Sequence, residues 1–386
     1  MRTYLIAASL LIGSCLTEAQ ALETNQANEA LIDAAESGQA ELLKQAIESG
    51  ASVDARDKSA QHMTALILAI RNSHEFVVQQ LLANGADPNA ASTSGFTPLM
   101  FAAYNDHAVI INLLLDKGAA LEARNDLDGH SALHVAAQRG NLMALMSLLK
   151  HGANPNIESS KDGRTPLMLA AREAYGLRSV AELIAKDAKV NHAAWDGSTA
   201  LMGASIRGYP HITEVLILNG AKINAASHDG RTALHRAAMT GRKEIVEQLL
   251  SNGADFELHA KDGDTALGTA VYFGQMEIVR RLLRAGATVN TPAKNSETPL
   301  MLAVRGNHPE IASLLLRSGA DVNTTPETSA LIMAAERGLL AFAKVLIDAG
   351  ANVNYRTSAG QTALAAAKAI GNLQTVDLLR QAGAKD

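Results

Sequence analysis

Apolar residues recur along this chain in paired bursts, and the stretch Asp229–Ala254, DGRTALHRAAMTGRKEIVEQLLSNGA, shows one whole period. Ala233, Leu234, Ala237 and Ala238 share one face at helical spacing, and their small size predicts a short helix that packs closely. Thr232, just ahead of them, offers a side-chain oxygen to cap that helix. Gly241 predicts its end, because a turn between antiparallel helices needs a residue that tolerates positive φ. Ile245, Val246, Leu249 and Leu250 predict a second helix, which Gly253 ends. Neither helix can bury its apolar face alone, so the stretch predicts a helix–turn–helix brick that requires neighbours.

The Thr/Ser-x-Leu opening returns at Thr64, Thr97, Ser131, Thr165, Thr199, Thr232, Thr265, Thr298, Ser329 and Thr362, at steps of 31–34 residues. A Gly-Ala pair recurs in phase at Gly50, Gly85, Gly118, Gly152, Gly220, Gly253, Gly286, Gly319, Gly350 and Gly383. Thr97-Pro98-Leu99, Asp162-Gly163-Arg164-Thr165-Pro166-Leu167 and Gly253-Ala254-Asp255 carry a specific likeness: the chain resembles the ankyrin-repeat family over about residues 25–386. The resemblance implies an all-α solenoid of about 11 stacked helix–turn–helix repeats with loop or hairpin fingers between them. It also implies a concave face, lined by loop tips and first-helix ends, on which partner proteins bind.

Four segments follow from this phase. Residues 1–21 read as a cleavable signal peptide: Met1 (through its amino terminus) and Arg2 carry positive charge, Tyr4–Leu16 is uncharged, and Ala19-Gln20-Ala21 is a small-x-small site, so cleavage is expected after Ala21. The uncharged run is shorter than the roughly 20 residues a membrane-spanning helix needs. Leu11-Ile12-Gly13-Ser14-Cys15 offers a competing reading as a lipid-attachment box. Residues 22–57 are an N-terminal linker and capping repeat, 58–361 the internal repeats, and 362–386 a C-terminal capping repeat. In the first repeat Leu31, Ile32, Leu42, Leu43 and Ile47 are expected on one apolar side. The fifth repeat departs most, with an extra residue in the turn Arg172-Glu173-Ala174-Tyr175-Gly176 and Asp187 where Gly is expected. That predicts either a local soft point or ordinary drift.

Cys15 is the one cysteine, so a chain cut after Ala21 has no disulfide, zinc–thiolate site or cysteine nucleophile. The net charge of −5 and the lack of a basic block argue against nucleic acid or an anionic membrane as the main partner. Among the 12 histidines, His134 and His235 fall in the motif position that the family uses for structural hydrogen bonds. Met100, Met168, Met202 and Met301 replace it in four other repeats and read as core filler. With no phosphate loop, HExxH or nucleophile elbow, no catalytic, metal or cofactor site is expected and the chain reads as a non-enzyme.

The variable surface remains. Ile206, Met239, Tyr272 and Phe273 precede the inter-helix turns of three successive repeats, and Trp195 tips the loop entering the first of them. Trp195, Tyr272 and Phe273 are three of only 13 aromatic residues, which makes their coincidence a candidate interface centre. Arginine stands at the same ledge at Arg71, Arg139, Arg172, Arg207, Arg305 and Arg337, where it either orients an acidic partner or pairs with neighbouring carboxylates. The reading is of a monomeric, periplasmic scaffold that binds a partner protein through Trp195, Ile206, Arg207, Met239, Tyr272, Phe273 and Arg305. The alternative is a secreted or lipid-anchored effector binding a host or competitor protein.

Overall fold

Thr232 caps as expected, but with help: its side chain accepts from the backbone of His235 while His235 bonds back to the Thr232 backbone, closing a capping box. At Thr64, Thr97, Thr199, Thr265, Thr298 and Thr362 the threonine oxygen alone takes the third helical N–H. Pro at the first helical position adds a preset φ in the helices Pro98–Tyr104, Pro166–Ala170 and Pro299–Gly306. A nine-residue second helix follows each turn, as in Lys243–Ser251, and Gly241 enters that turn at φ 71°.

The computed structural model describes residues 23–293, 295–323 and 328–385. The signal peptide and Cys15 lie outside the described residues. Among those described, the architecture is helical, and Arg56 and Thr64 form an isolated antiparallel bridge. The chain divides into two compact units that meet in sequence at Trp195 and Asp196, in the loop after the irregular fifth repeat. Within each unit, first helices pack on first helices and second on second. The motif leucines Leu66, Leu99, Leu133 and Leu167 in the first unit, and Leu201, Leu234, Leu267, Leu300, Leu331 and Leu364 in the second, are all buried. Each such leucine contributes about 2–3 kcal/mol of burial. Met100, Met168, Met202 and Met301 are buried beside them.

Polar side chains lock one repeat to the next. In the segment that starts with the Gly-Ala pair, Gly220-Ala221-Lys222-Ile223-Asn224, Asn224 donates to the Gly253 carbonyl (3.3 Å) and accepts from the Asp255 amide (2.9 Å). Asn89, Asn156, Asn290, Asn323 and Asn354 clamp their successors in the same two-bonded way. Where Glu122 and Glu257 replace asparagine, only the accepting half survives, since a carboxylate has no N–H to donate. The fingers are hairpin turns that also touch: the Lys261 amide donates to the Asp229 carbonyl at 2.8 Å. Gly230 makes that approach possible, since a β-carbon there would sit 2.7 Å from the Lys261 nitrogen.

Two expectations are refined by the fold. In the first repeat Leu31 and Leu43 are buried, but Leu42 is about half exposed, because it faces the open end of the stack. In the fifth repeat the first helix, Pro166–Ala170, has only five residues, and the extra turn residue follows it. Asp187 takes the left-handed conformation, φ 65°, in place of glycine. Gly176 instead has right-handed angles and is needed for space: a β-carbon would fall 2.0 Å from the Ala170 oxygen.

Candidate protein-binding rim

Each first helix ends with carbonyls that lack helical partners. Here the next repeat supplies the donor, which ties successive inter-helix turns into a continuous rim. In the second unit Gln275 donates to the Met239 carbonyl (3.3 Å), and Nε2 of His308 lies 3.1 Å from the Tyr272 carbonyl. Arg337 donates to the carbonyls of Val304 (2.5 Å) and Arg305 (2.7 Å), and Asn372 to that of Gly338 (3.1 Å). Arg242 lies over Gly208, where a β-carbon would meet its Nε at 2.7 Å. The turns bearing Ile206, Met239, Tyr272 and Arg305 are therefore consecutive steps of one edge.

On that edge Ile206 and Met239 are half-buried, whereas Tyr272 and Phe273 are 39% and 45% exposed. The two rings meet edge to face, with centroids 5.1 Å apart and planes at 90°, so each stiffens the other. Arg207 and Arg305 are exposed. Arg305 forms an ion pair with Glu297. Arg337, by contrast, spends its guanidinium on the backbone ties already described. In the first unit Arg71 pairs with Glu36 at 2.9 Å and Arg139 lies 4.0 Å over the Tyr104 ring. Arg71, Arg139, Arg305 and Arg337 thus have four different environments, so the ledge arginines do not form one uniform cationic row.

Trp195 occupies a different edge of its repeat. Its amide donates to the Asp162 carbonyl at 3.0 Å and its indole covers Gly163, with 57% of the residue exposed. A first helix of seven or eight residues, about 10–12 Å long, separates the fingers from the turns. The structure therefore gathers Ile206, Arg207, Met239, Tyr272, Phe273 and Arg305 on the turn rim of the second unit and sets Trp195 on a finger of the first. Arg242 joins the rim from just beyond a turn, a position that a search of pre-turn residues passes over.

The titratable groups are built into the scaffold. Nδ1 of His134 accepts from the Ser131 amide (3.1 Å), and Nε2 donates to the Arg164 carbonyl (3.0 Å). His235 repeats this with Thr232 (3.3 Å) and Asp264 (3.2 Å). Burial lowers both imidazoles to about 4, which keeps them neutral. Asp264 is pushed up to about 6, by burial and then by the charge of Asp262. Among the described residues no cluster of His, Cys, Asp and Glu could hold a metal ion, and no helix is long and apolar enough to cross a membrane.

Comparison with known proteins gives the same repeat phase. The family described as ankyrin repeats in three copies matches residues 31–125, 110–194, 174–260 and 252–326, and the single ankyrin repeat matches 327–358. The chain is 32% identical over 158 residues to the B-cell lymphoma 3 protein homolog of Mus musculus, covering 40% of this chain and 35% of that protein. It is 44% identical over 117 residues to ankyrin repeat and SOCS box protein 3 of Bos taurus, covering 30% of this chain and 22% of that one. These relatives are thus matched over only a minor part of their length. The crystal structure of the human ASB11 ankyrin repeat domain superposes with a TM-score of 0.53 at 28% identity, covering 56% of this chain and 98% of that domain.

Proposed function

This chain belongs to the ankyrin-repeat family, and we propose from that premise that it is a non-catalytic scaffold holding a partner protein on the turn rim of its second unit. Tyr272 and Phe273 carry the proposal. Their rings are exposed and mutually braced, and they stand on turns that backbone ties already hold in place. Exposing such a pair contributes little to folding, whereas rigid aromatic anchors lose little entropy when a partner covers them. Met239 and Ile206 extend the apolar strip, and Arg207 and Arg305 flank it. Trp195 is proposed as a separate contact on the finger edge of the first unit.

The compartment we propose is the periplasm, on the strength of the charge pattern and the Ala-Gln-Ala site within residues 1–21. The test is retention of whatever co-purifies from a periplasmic extract, compared between the native chain and Tyr272→Ala and Trp195→Ala variants with matched thermal melts. Each substitution is expected to weaken binding by roughly 2 kcal/mol if its ring is a hot spot. Undiminished capture by the double variant would remove the proposal.

A further inference from the structure

A second rim, in the first unit, carries a row of large apolar residues at its helix starts. The second residue of the second helix is Phe76, Val109 and Met143 in three consecutive repeats, and each is more than half exposed. In the second unit the same register reads His211, Glu244, Glu277, Glu310, Ala341 and Gln374, with no large apolar side chain among them. Ordinary solvation of a helix start favours the acidic choice, since carboxylates complement the positive end of the helix dipole. Phe76, Val109 and Met143 leave apolar surface in water instead, and the helices that carry Val109 and Met143 have no acidic residue in their first turn at all.

The neighbouring turns add aromatic surface and one unpaired charge. Tyr104 is exposed just ahead of the turn before Val109, and Arg139 lies over its ring at 4.0 Å. Among the described residues no carboxylate comes within 4.0 Å of the Arg139 guanidinium, unlike Arg71, which is paired with Glu36. Tyr175, 87% exposed, stands beside Gly140 of the preceding turn, where an added β-carbon would meet its own at 3.6 Å. The surface is also held rigid. Asn141 donates to the Ala103 (2.9 Å) and Tyr104 (2.7 Å) carbonyls, the Ala144 amide donates to Asp106 (2.7 Å), and Asn105 ties back to Ile70 and Arg71.

We propose that this rim, from Phe76 to Tyr175, is a docking surface for a partner-protein segment that combines apolar side chains with a carboxylate. The apolar row takes the segment's hydrophobic face. Arg139, its planar guanidinium pre-oriented by Tyr104, takes the carboxylate with two parallel N–H donors. Charge complementarity selects the occupant: an apolar segment without an acid leaves the arginine desolvated and unpaired, which costs affinity. The surface lies wholly in the first unit and is independent of the Tyr272–Phe273 strip.

The test is to pan phage-displayed random 16-residue peptides against the intact chain and titrate the best binder by fluorescence anisotropy. Enriched peptides are expected to pair large apolar residues with Asp or Glu. Arg139→Glu and Met143→Glu should each weaken the selected peptide at least about tenfold, the size expected for a central contact. Arg139→Lys should retain part of the affinity, and panning on Arg139→Glu should enrich basic residues in place of acidic ones. All three substitutions are at exposed positions, so thermal melts should match the native chain. Peptides without acids, binding unchanged by Arg139→Glu, or no enrichment over an unrelated protein would each overturn the proposal. So would binding of vesicles rich in anionic lipid in place of peptide, or concentration-dependent dimers abolished by Met143→Glu.

Discussion

Replacing His134 by Met should make two pH–stability curves cross. In the native chain the imidazole is neutral and fully buried, accepting at Nδ1 from Ser131 and donating at Nε2 to Arg164. Protonating Nδ1 would place a donor against a donor and a charge in the core. His130, stacked 5.0 Å away with its plane only 6° off, adds to the penalty if it too is charged. Burial lowers the His134 pKa from 6.5 to about 4. Between those values the unfolded chain binds a proton that the folded chain does not, so stability is full above about pH 6.5 and falls as pH drops towards 4. At 1.36 kcal/mol per pH unit, the loss attributable to His134 is about 3 kcal/mol. Methionine already fills this position at Met100, Met202 and Met301, where the threonine oxygen still caps the helix at 3.3–3.4 Å. His134→Met therefore keeps the packing and loses both imidazole bonds, from the Ser131 amide and to the Arg164 carbonyl, at about 1 kcal/mol each. The variant should be the less stable protein at pH 7.5 and the more stable one near pH 4. Hydrogen exchange of the amides in Ala132–Arg139, corrected for intrinsic rates at each pH, measures both. Parallel curves for the two proteins would refute the reasoning.

Other consequences follow from the packing. Leu234→Ala removes a fully buried side chain and should cost about 2–5 kcal/mol. Its loss of exchange protection should centre on the helices Ala200–Arg207, Ala233–Met239 and Ala266–Tyr272, since each repeat leans on its neighbours; a uniform loss along the chain would contradict this. Asn224→Ala deletes both bonds of one clamp and should cost about 1–3 kcal/mol, whereas Asn224→Glu should recover roughly half by accepting from Asp255, as urea denaturation would show. Mass determination of the native protein should find an N-terminus at Leu22; an intact Met1 or a lipid adduct on Cys15 would exclude cleavage after Ala21.

Periodicity made the repeats legible because most encode their own caps: Thr or Ser at the start, Gly at most left-handed positions with Ser73, Asp106, Asp187 or Asn307 at others, and small residues where first helices meet. The shortened helix Pro166–Ala170 was foreshadowed by the extra turn residue. The role of Gly176 was not, because a close backbone approach leaves no local signature. The ties between turns were invisible for a related reason. Asn141, Gln275 and His308 reach carbonyls 36–38 residues away, and nothing nearby in sequence marks those carbonyls as their partners. The candidate rim was legible in part: repeat register aligned Ile206, Met239 and Tyr272, but it gave no measure of the helix length that separates the fingers, where Trp195 sits, from the turns.

Site-specific photo-crosslinking in intact cells tests the central claim, that the turn rim of the second unit holds a partner protein. A benzophenone side chain placed at Met239, beside Tyr272 and Phe273, should give one discrete protein adduct, and Phe273→Glu should abolish it. The same probe at Glu310, on a second helix of the same unit, should give none. No adduct from Met239, or an equal adduct from both positions that survives Phe273→Glu, would contradict the account.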